Sequence, residues 1–100
     1  MYVIYWSKLA VDSYRDEADF ILNKWNYQQV AVFALLIEKH LQSIAFNPFI
    51  GKKYSSKDLF CLTISKQTNL YYTIDLEQKM VNLVLFWNNS KNPKNLIHLL

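Results

Sequence analysis

One hundred residues, 52% of them apolar and 16% aromatic, with one Gly and two Pro, exclude a disordered chain and describe a single domain, residues 1–100, built of two packed layers. The formal charge of +3 rests almost wholly on lysine, Arg15 being the only arginine. That suits an anionic partner without demanding one, and lysine lacks the planar two-pronged grip of arginine on phosphate. Cys61 stands alone, so no internal disulfide is possible and a reducing compartment fits. One Cys and two distant His build no zinc cluster, and neither a metal nor a cofactor is expected.

The N-terminal residues carry no basic segment ahead of their short apolar run, so no signal peptide is expected. The longest apolar run, residues 30–37, falls far below the roughly 20 residues that span a bilayer. The expectation is a soluble, cytoplasmic protein with no membrane partner.

Residues 2–6, aromatic and β-branched, predict a strand, and Ser7 offers a helix cap. Apolar residues then recur at Ala10, Tyr14, Ala18, Ile21, Leu22 and Trp25, which predicts an amphipathic helix over residues 8–24. Its acidic residues Asp12, Asp16, Glu17 and Asp19 wind around the helix, and a solvated face is their expected place. Asn26 offers a second cap. The pattern resumes at Val30, Phe33, Ala34, Ile37, Leu41 and Ile44 and stops before Pro48. So short a break predicts an antiparallel helical hairpin lying on a sheet.

Residues 47–51 read as a turn, with Gly51 available for a positive φ, and residues 52–57 as a polar connector. A strand is expected over residues 58–65. Residues 69–89 then read as a β-hairpin around a polar link at 76–79. Strict alternation sets Val81, Leu83, Leu85 and Trp87 on one face of the last strand and Asn82, Val84, Phe86 and Asn88 on the other. That second face is more apolar than water requires. Its expected cover is a partner protein contacting Tyr71, Thr73, Val84, Phe86 and Asn88, in preference to the chain's own tail, residues 96–100. The tail itself reads as a short helix or a strand.

The order β-α-α-β-β-β resembles that of the RelE/ParE superfamily of bacterial toxins. So do Trp6-Ser7 with Ala10, Asn47-Pro48 with Ile50-Gly51, Ile64-Ser65-Lys66, Leu70-Tyr71-Tyr72 with Ile74, and Phe86-Trp87-Asn88-Asn89 with Asn92-Pro93. The resemblance implies an α+β fold, a small antiparallel-dominated sheet with the helical hairpin on one face. It implies the toxin of a type II toxin–antitoxin pair, tied to plasmid stabilisation and growth inhibition and neutralised by a cognate antitoxin. One branch of the superfamily cuts mRNA on the ribosome; the other poisons DNA gyrase. Many relatives carry arginines where this chain has Phe60, Cys61, Thr73 and Ser90. The favoured expectation is therefore a toxin that acts by binding its target. The alternatives are a ribosome-dependent endoribonuclease using lysines for the missing arginines, and an inactive toxin-fold binding module. A homodimer and a toxin–antitoxin hetero-oligomer both stay open.

Cutting RNA through its own 2′-hydroxyl needs a base, a cation and an acid. Lys53, Lys66, Lys91 and Lys94 offer charge, and Tyr71 or His98 offers a proton. Against each stands a plainer role: solvated loop lysines, a surface or partner-contacting Tyr71, a hydrogen-bonded His40, and an inert, buried Cys61.

Overall fold

The structure, a computed structural model, describes residues 1–54 and 58–100. In chain order it forms β1 (Val3–Trp6), α1 (Lys8–Lys24), α2 (Tyr27–Phe46), a 3₁₀ turn (Pro48–Ile50), β2 (Lys52–Tyr54), β3 (Leu59–Thr63), β4 (Thr68–Asp75), β5 (Met80–Asn88) and α3 (Pro93–Leu99). The strands make one sheet in the order β1-β5-β4-β3-β2, with β1 parallel to β5 and the other pairs antiparallel. The expected order holds, with two additions. Part of the expected connector is the edge strand β2 (residues 55–57 of that connector lie outside the described residues), and the tail is a helix.

Local chemistry explains the elements. Ser7 Oγ accepts from the Ala10 N–H at 3.0 Å, and Asn26 Oδ1 accepts from Gln29 N–H at 3.0 Å, so each long helix begins on a side-chain cap. Pro48 and Pro93 each open a helical turn, where a missing N–H costs nothing. In the β4–β5 link, Asp75 Oδ1 accepts from Gln78 N–H at 3.1 Å, and Lys79 closes the turn at φ 52°.

The hairpin register changes between Tyr71↔Leu85 and Tyr72↔Leu83, which leaves Val84 as an extra residue, a β-bulge. Val81 and Leu83 face the helices. Past the bulge Phe86 faces them instead, while Leu85 and Trp87 turn to the opposite side. Strict alternation is thereby broken, and the expected faces of Leu85, Trp87 and Phe86 are corrected.

Ser7, the cap of α1, and Ser13 within it hold the bulge in place. Ser7 Oγ donates to the Val84 carbonyl at 3.1 Å, and the Phe86 N–H donates to Ser13 Oγ at 2.9 Å. Both polar groups that the bulge frees from the ladder are thus satisfied.

The main core lies between the sheet and the hairpin. Ala10, Ile21, Phe33, Ile37 and Ile44 pack on Leu70, Tyr72, Val81, Leu83 and Phe86. Glu17 belongs to this interior and not to a solvated face: it is 3% exposed and accepts from Thr68 Oγ1 at 2.5 Å. The second face carries a smaller cluster of Leu59, Tyr71, Leu85 and Trp87, roofed by Leu96 of α3. The expected order of preference is thus reversed, since the chain's own tail covers this face.

Gly51 takes φ −74° and not a positive value. What requires a glycine there is the Tyr72 hydroxyl, which accepts from the Gly51 N–H at 3.0 Å and donates to the Pro48 carbonyl at 2.7 Å.

Candidate partner-binding groove

A cleft of about 560 Å³ runs between β1 and α2. Ile4, Trp6 and Tyr14 form one wall; Ala34, Ile37, Leu41 and Ala45 form the other; Glu38 and Gln42 sit in its polar margin. The α2 positions recur at steps of three and four, so they line one face of the helix. Trp6 is fixed by rings on two sides, Tyr14 edge-on at 5.5 Å and Phe86 at 5.5 Å.

β1 is also a sheet edge. Val3 N–H donates to Lys79 O at 3.0 Å and Ser7 N–H to Leu83 O at 3.3 Å, both toward β5. The alternation of a parallel pair leaves the Ile4 and Trp6 backbone groups on the open side, beside the cleft that their side chains line. The site therefore offers two kinds of contact: hydrogen bonds for an added strand and apolar room for its anchor side chains.

Sequence reasoning missed this groove because it read Ile4 and Trp6 only as a strand. The available signal was chain order. The first strand stands outside the run of antiparallel neighbours β2 to β5 and joins the sheet at its rim.

The residues expected to contact a partner are dispersed. Phe86 is 3% exposed, between Trp6 and Tyr14 on the helix side. Tyr71 is buried in the cluster beneath α3, edge-on to Tyr54 at 5.2 Å. Burial, with Cys61 beside it, pushes its hydroxyl up to about 12. Val84 is half-buried in the bulge, and Thr73 half-buried opposite Leu59. Asn88 is buried, its Oδ1 accepting from Ser90 N–H at 2.8 Å and Ser90 Oγ at 2.6 Å, which ties the turn after β5.

The residues weighed for catalysis lie on several elements. Lys53 lies on β2, paired with Asp58 at 3.4 Å, in a cavity of about 450 Å³ with Lys52, Tyr54 and Cys61. The Cys61 thiol is pushed up by burial. Lys66 lies in the turn between β3 and β4, and its carbonyl accepts from Asn89 Nδ2 at 3.2 Å. Lys91 stands over the Trp87 ring at 5.8 Å, and Lys94 and His98 are exposed on α3. His40 Nδ1 bonds the Leu36 carbonyl at 2.8 Å. Among the described residues no three His, Cys, Asp or Glu side chains group to hold a metal, and no helix is long and apolar enough to cross a membrane.

The model of the family described as ParE toxin of type II toxin–antitoxin system, parDE, matches residues 4–93. No curated protein matches the sequence. Solved structures share the fold at low identity. The chromosomal ParDE system of Pseudomonas aeruginosa superposes with a TM-score of 0.73 at 11% identity, over 88% of this chain and 96% of that one. The intact RelBE toxin–antitoxin complex of Escherichia coli gives 0.63 at 16% identity, over 91% and 100%. The YoeB/ParE toxin from Agrobacterium tumefaciens gives 0.61 at 13%, over 87% and 98%.

Proposed function

The chain belongs to the ParE toxins of type II toxin–antitoxin systems, and from that premise we propose that it arrests growth by binding its target and is silenced by an antitoxin segment seated in the β1–α2 groove. One observation supports the reading: Tyr71, the tyrosine weighed as the acid for RNA cleavage, is buried beneath Leu96 of α3, and burial pushes its hydroxyl up to about 12, which makes it a poor proton donor. A binding toxin needs no such donor. The ParE-like branch, with DNA gyrase as target, fits best, and a cytoplasmic place of action follows from it. The antitoxin would add an extended segment along the free edge of β1 and set apolar side chains against Trp6, Ile37 and Leu41.

Expression of the chain without antitoxin tests the mode of action. DNA synthesis, followed by labelled thymidine, is expected to fail before incorporation of labelled amino acid; the reverse order sinks the proposal. Ala34→Arg tests the seat, because it fills the groove from a half-buried position. It is expected to weaken antitoxin binding by about a hundredfold, the scale of a lost interface anchor, with an unchanged circular dichroism spectrum. Full affinity in the folded variant places the antitoxin elsewhere.

The cavity holding Lys52, Lys53, Tyr54 and Cys61 supports a second reading, an endoribonuclease on the ribosome that uses lysines for charge. Under it, Lys53→Ala abolishes mRNA cleavage in a translating extract while folding is intact. Cleavage that is absent from the wild type, or unchanged in the variant, rejects it.

A further inference from the structure

Past the end of α2 the surface turns apolar again. Phe46, Phe49 and Ile50 are 79%, 54% and 42% exposed, where a solvated turn needs no large apolar side chain. Two open cavities meet at Ile50, one of about 580 Å³ with Lys39 and Phe46, the other of about 450 Å³ with Lys52 and Lys53. Among the described residues no Asp or Glu lines either cavity. Lys53 is paired with Asp58, but no described carboxylate pairs with Lys39 or Lys52.

The turn that carries Phe49 and Ile50 is tied to the sheet. Phe49 is held edge-on against Phe60 at 5.9 Å, and the Tyr72 hydroxyl pins the turn on both sides of Ile50 through Pro48 and Gly51. Aromatic anchors around a hydrogen-bonded turn, with lysines outnumbering the one nearby carboxylate, Asp58, make an interaction surface.

We propose that this patch docks the toxin's protein target, and that the target presents an acidic segment with apolar anchor side chains. The inference rests on the reading that the chain acts by binding. The charge complement is an anion, because no described carboxylate pairs with Lys39 or Lys52. A peptide fits better than a nucleic acid, because Ile50, where the two cavities meet, suits an aliphatic anchor and no arginine lines the patch to grip phosphate. The patch lies roughly a third of a turn around α2 from the groove, by the helical period, and Gln42 borders both. An antitoxin in the groove thus crowds the patch without being seated on it, which accounts for silencing.

The test compares the full chain with Phe46→Asp, Phe49→Asp and Lys39→Glu, each checked for native circular dichroism, and with Phe46→Leu as the conservative control. Growth is followed after expression without antitoxin, and affinity for the antitoxin by calorimetry. Anisotropy is read with a labelled peptide alternating Glu with Leu and Phe, and with a single-stranded oligonucleotide of equal charge. The expected result is loss of growth arrest and at least about a tenfold loss of peptide affinity, with antitoxin affinity unchanged and Phe46→Leu like the wild type. Arrest that persists in the folded variants overturns the proposal. So does antitoxin affinity that falls in step, or an oligonucleotide that binds more tightly than the peptide and is lost on substitution. A wild-type chain that arrests nothing refutes the binding-toxin reading instead, and the peptide arm then decides the patch alone.

Discussion

A Cβ added to Gly51 would lie 2.5 Å from the Tyr72 hydroxyl and 3.1 Å from the Cys61 carbonyl. The backbone at Gly51, φ −74° and ψ 163°, is open to any residue, so the cost of a side chain there is the close approach alone. Tyr72 is fully buried and stacked on Phe60 at 5.6 Å, and it has nowhere to move. Gly51→Ala is expected to lower stability by about 1–3 kcal/mol, the usual range for overpacking joined to a lost buried hydrogen bond, as read by urea denaturation. Tyr72→Phe removes the hydroxyl and so the nearest contact. If the clash is the cause, the double variant is more stable than the sum of the single losses; strict additivity, or an unaffected Gly51→Ala, rejects the account. The sequence marks Gly51 as special but suggests a turn as the reason. The true reason sits 21 residues further on, in a side chain whose direction is fixed only when β4 pairs with β3.

At the scale of elements, the β5 bulge decides which side chains reach which layer. Local pattern predicts both helices, their caps and the hairpin well, because each rests on neighbours within a few residues. The bulge is different. Ser7 and Ser13 hold it from α1 and its cap, more than 70 residues earlier in sequence, so strict alternation along β5 could not reveal it. Glu17, by contrast, was legible: Ala10, Tyr14, Glu17 and Ile21 follow the four-three-four spacing of the buried stripe, and charge alone argued it outward.

Ser13→Ala tests the clamp. It leaves the Phe86 N–H without its acceptor in a partly buried place, and a loss of about 1–3 kcal/mol is expected. The specific readout is amide exchange: Phe86 should lose protection more than residues of β4, whose ladder bonds stay intact. Protection lost evenly along the hairpin would show that the hydroxyl supports the sheet generally and not the bulge.

For the whole molecule, the helical hairpin and α3 cover the two faces of the sheet, so the surfaces left for partners are its edges and the flanks of α2. The same enclosure sets the alkaline limit of the fold. Burial raises the hydroxyls of Tyr14, Tyr71 and Tyr72 and the Cys61 thiol, Tyr71 to about 12 from 10.0. A tyrosine is neutral while protonated, so the folded chain keeps protons that the unfolded chain releases first. Above the ordinary tyrosine range the unfolded state binds fewer protons, and stability falls as pH rises. The contribution is fully present below about pH 10 and is lost as pH climbs through about 12. Guanidinium unfolding followed from pH 9 to 12 should show that decline, and Tyr71→Phe should make it shallower, because the variant has one fewer group to ionise on unfolding. An identical slope in the variant would mean that Tyr71 reaches water despite α3, and that the tail is no firm cover for the second face.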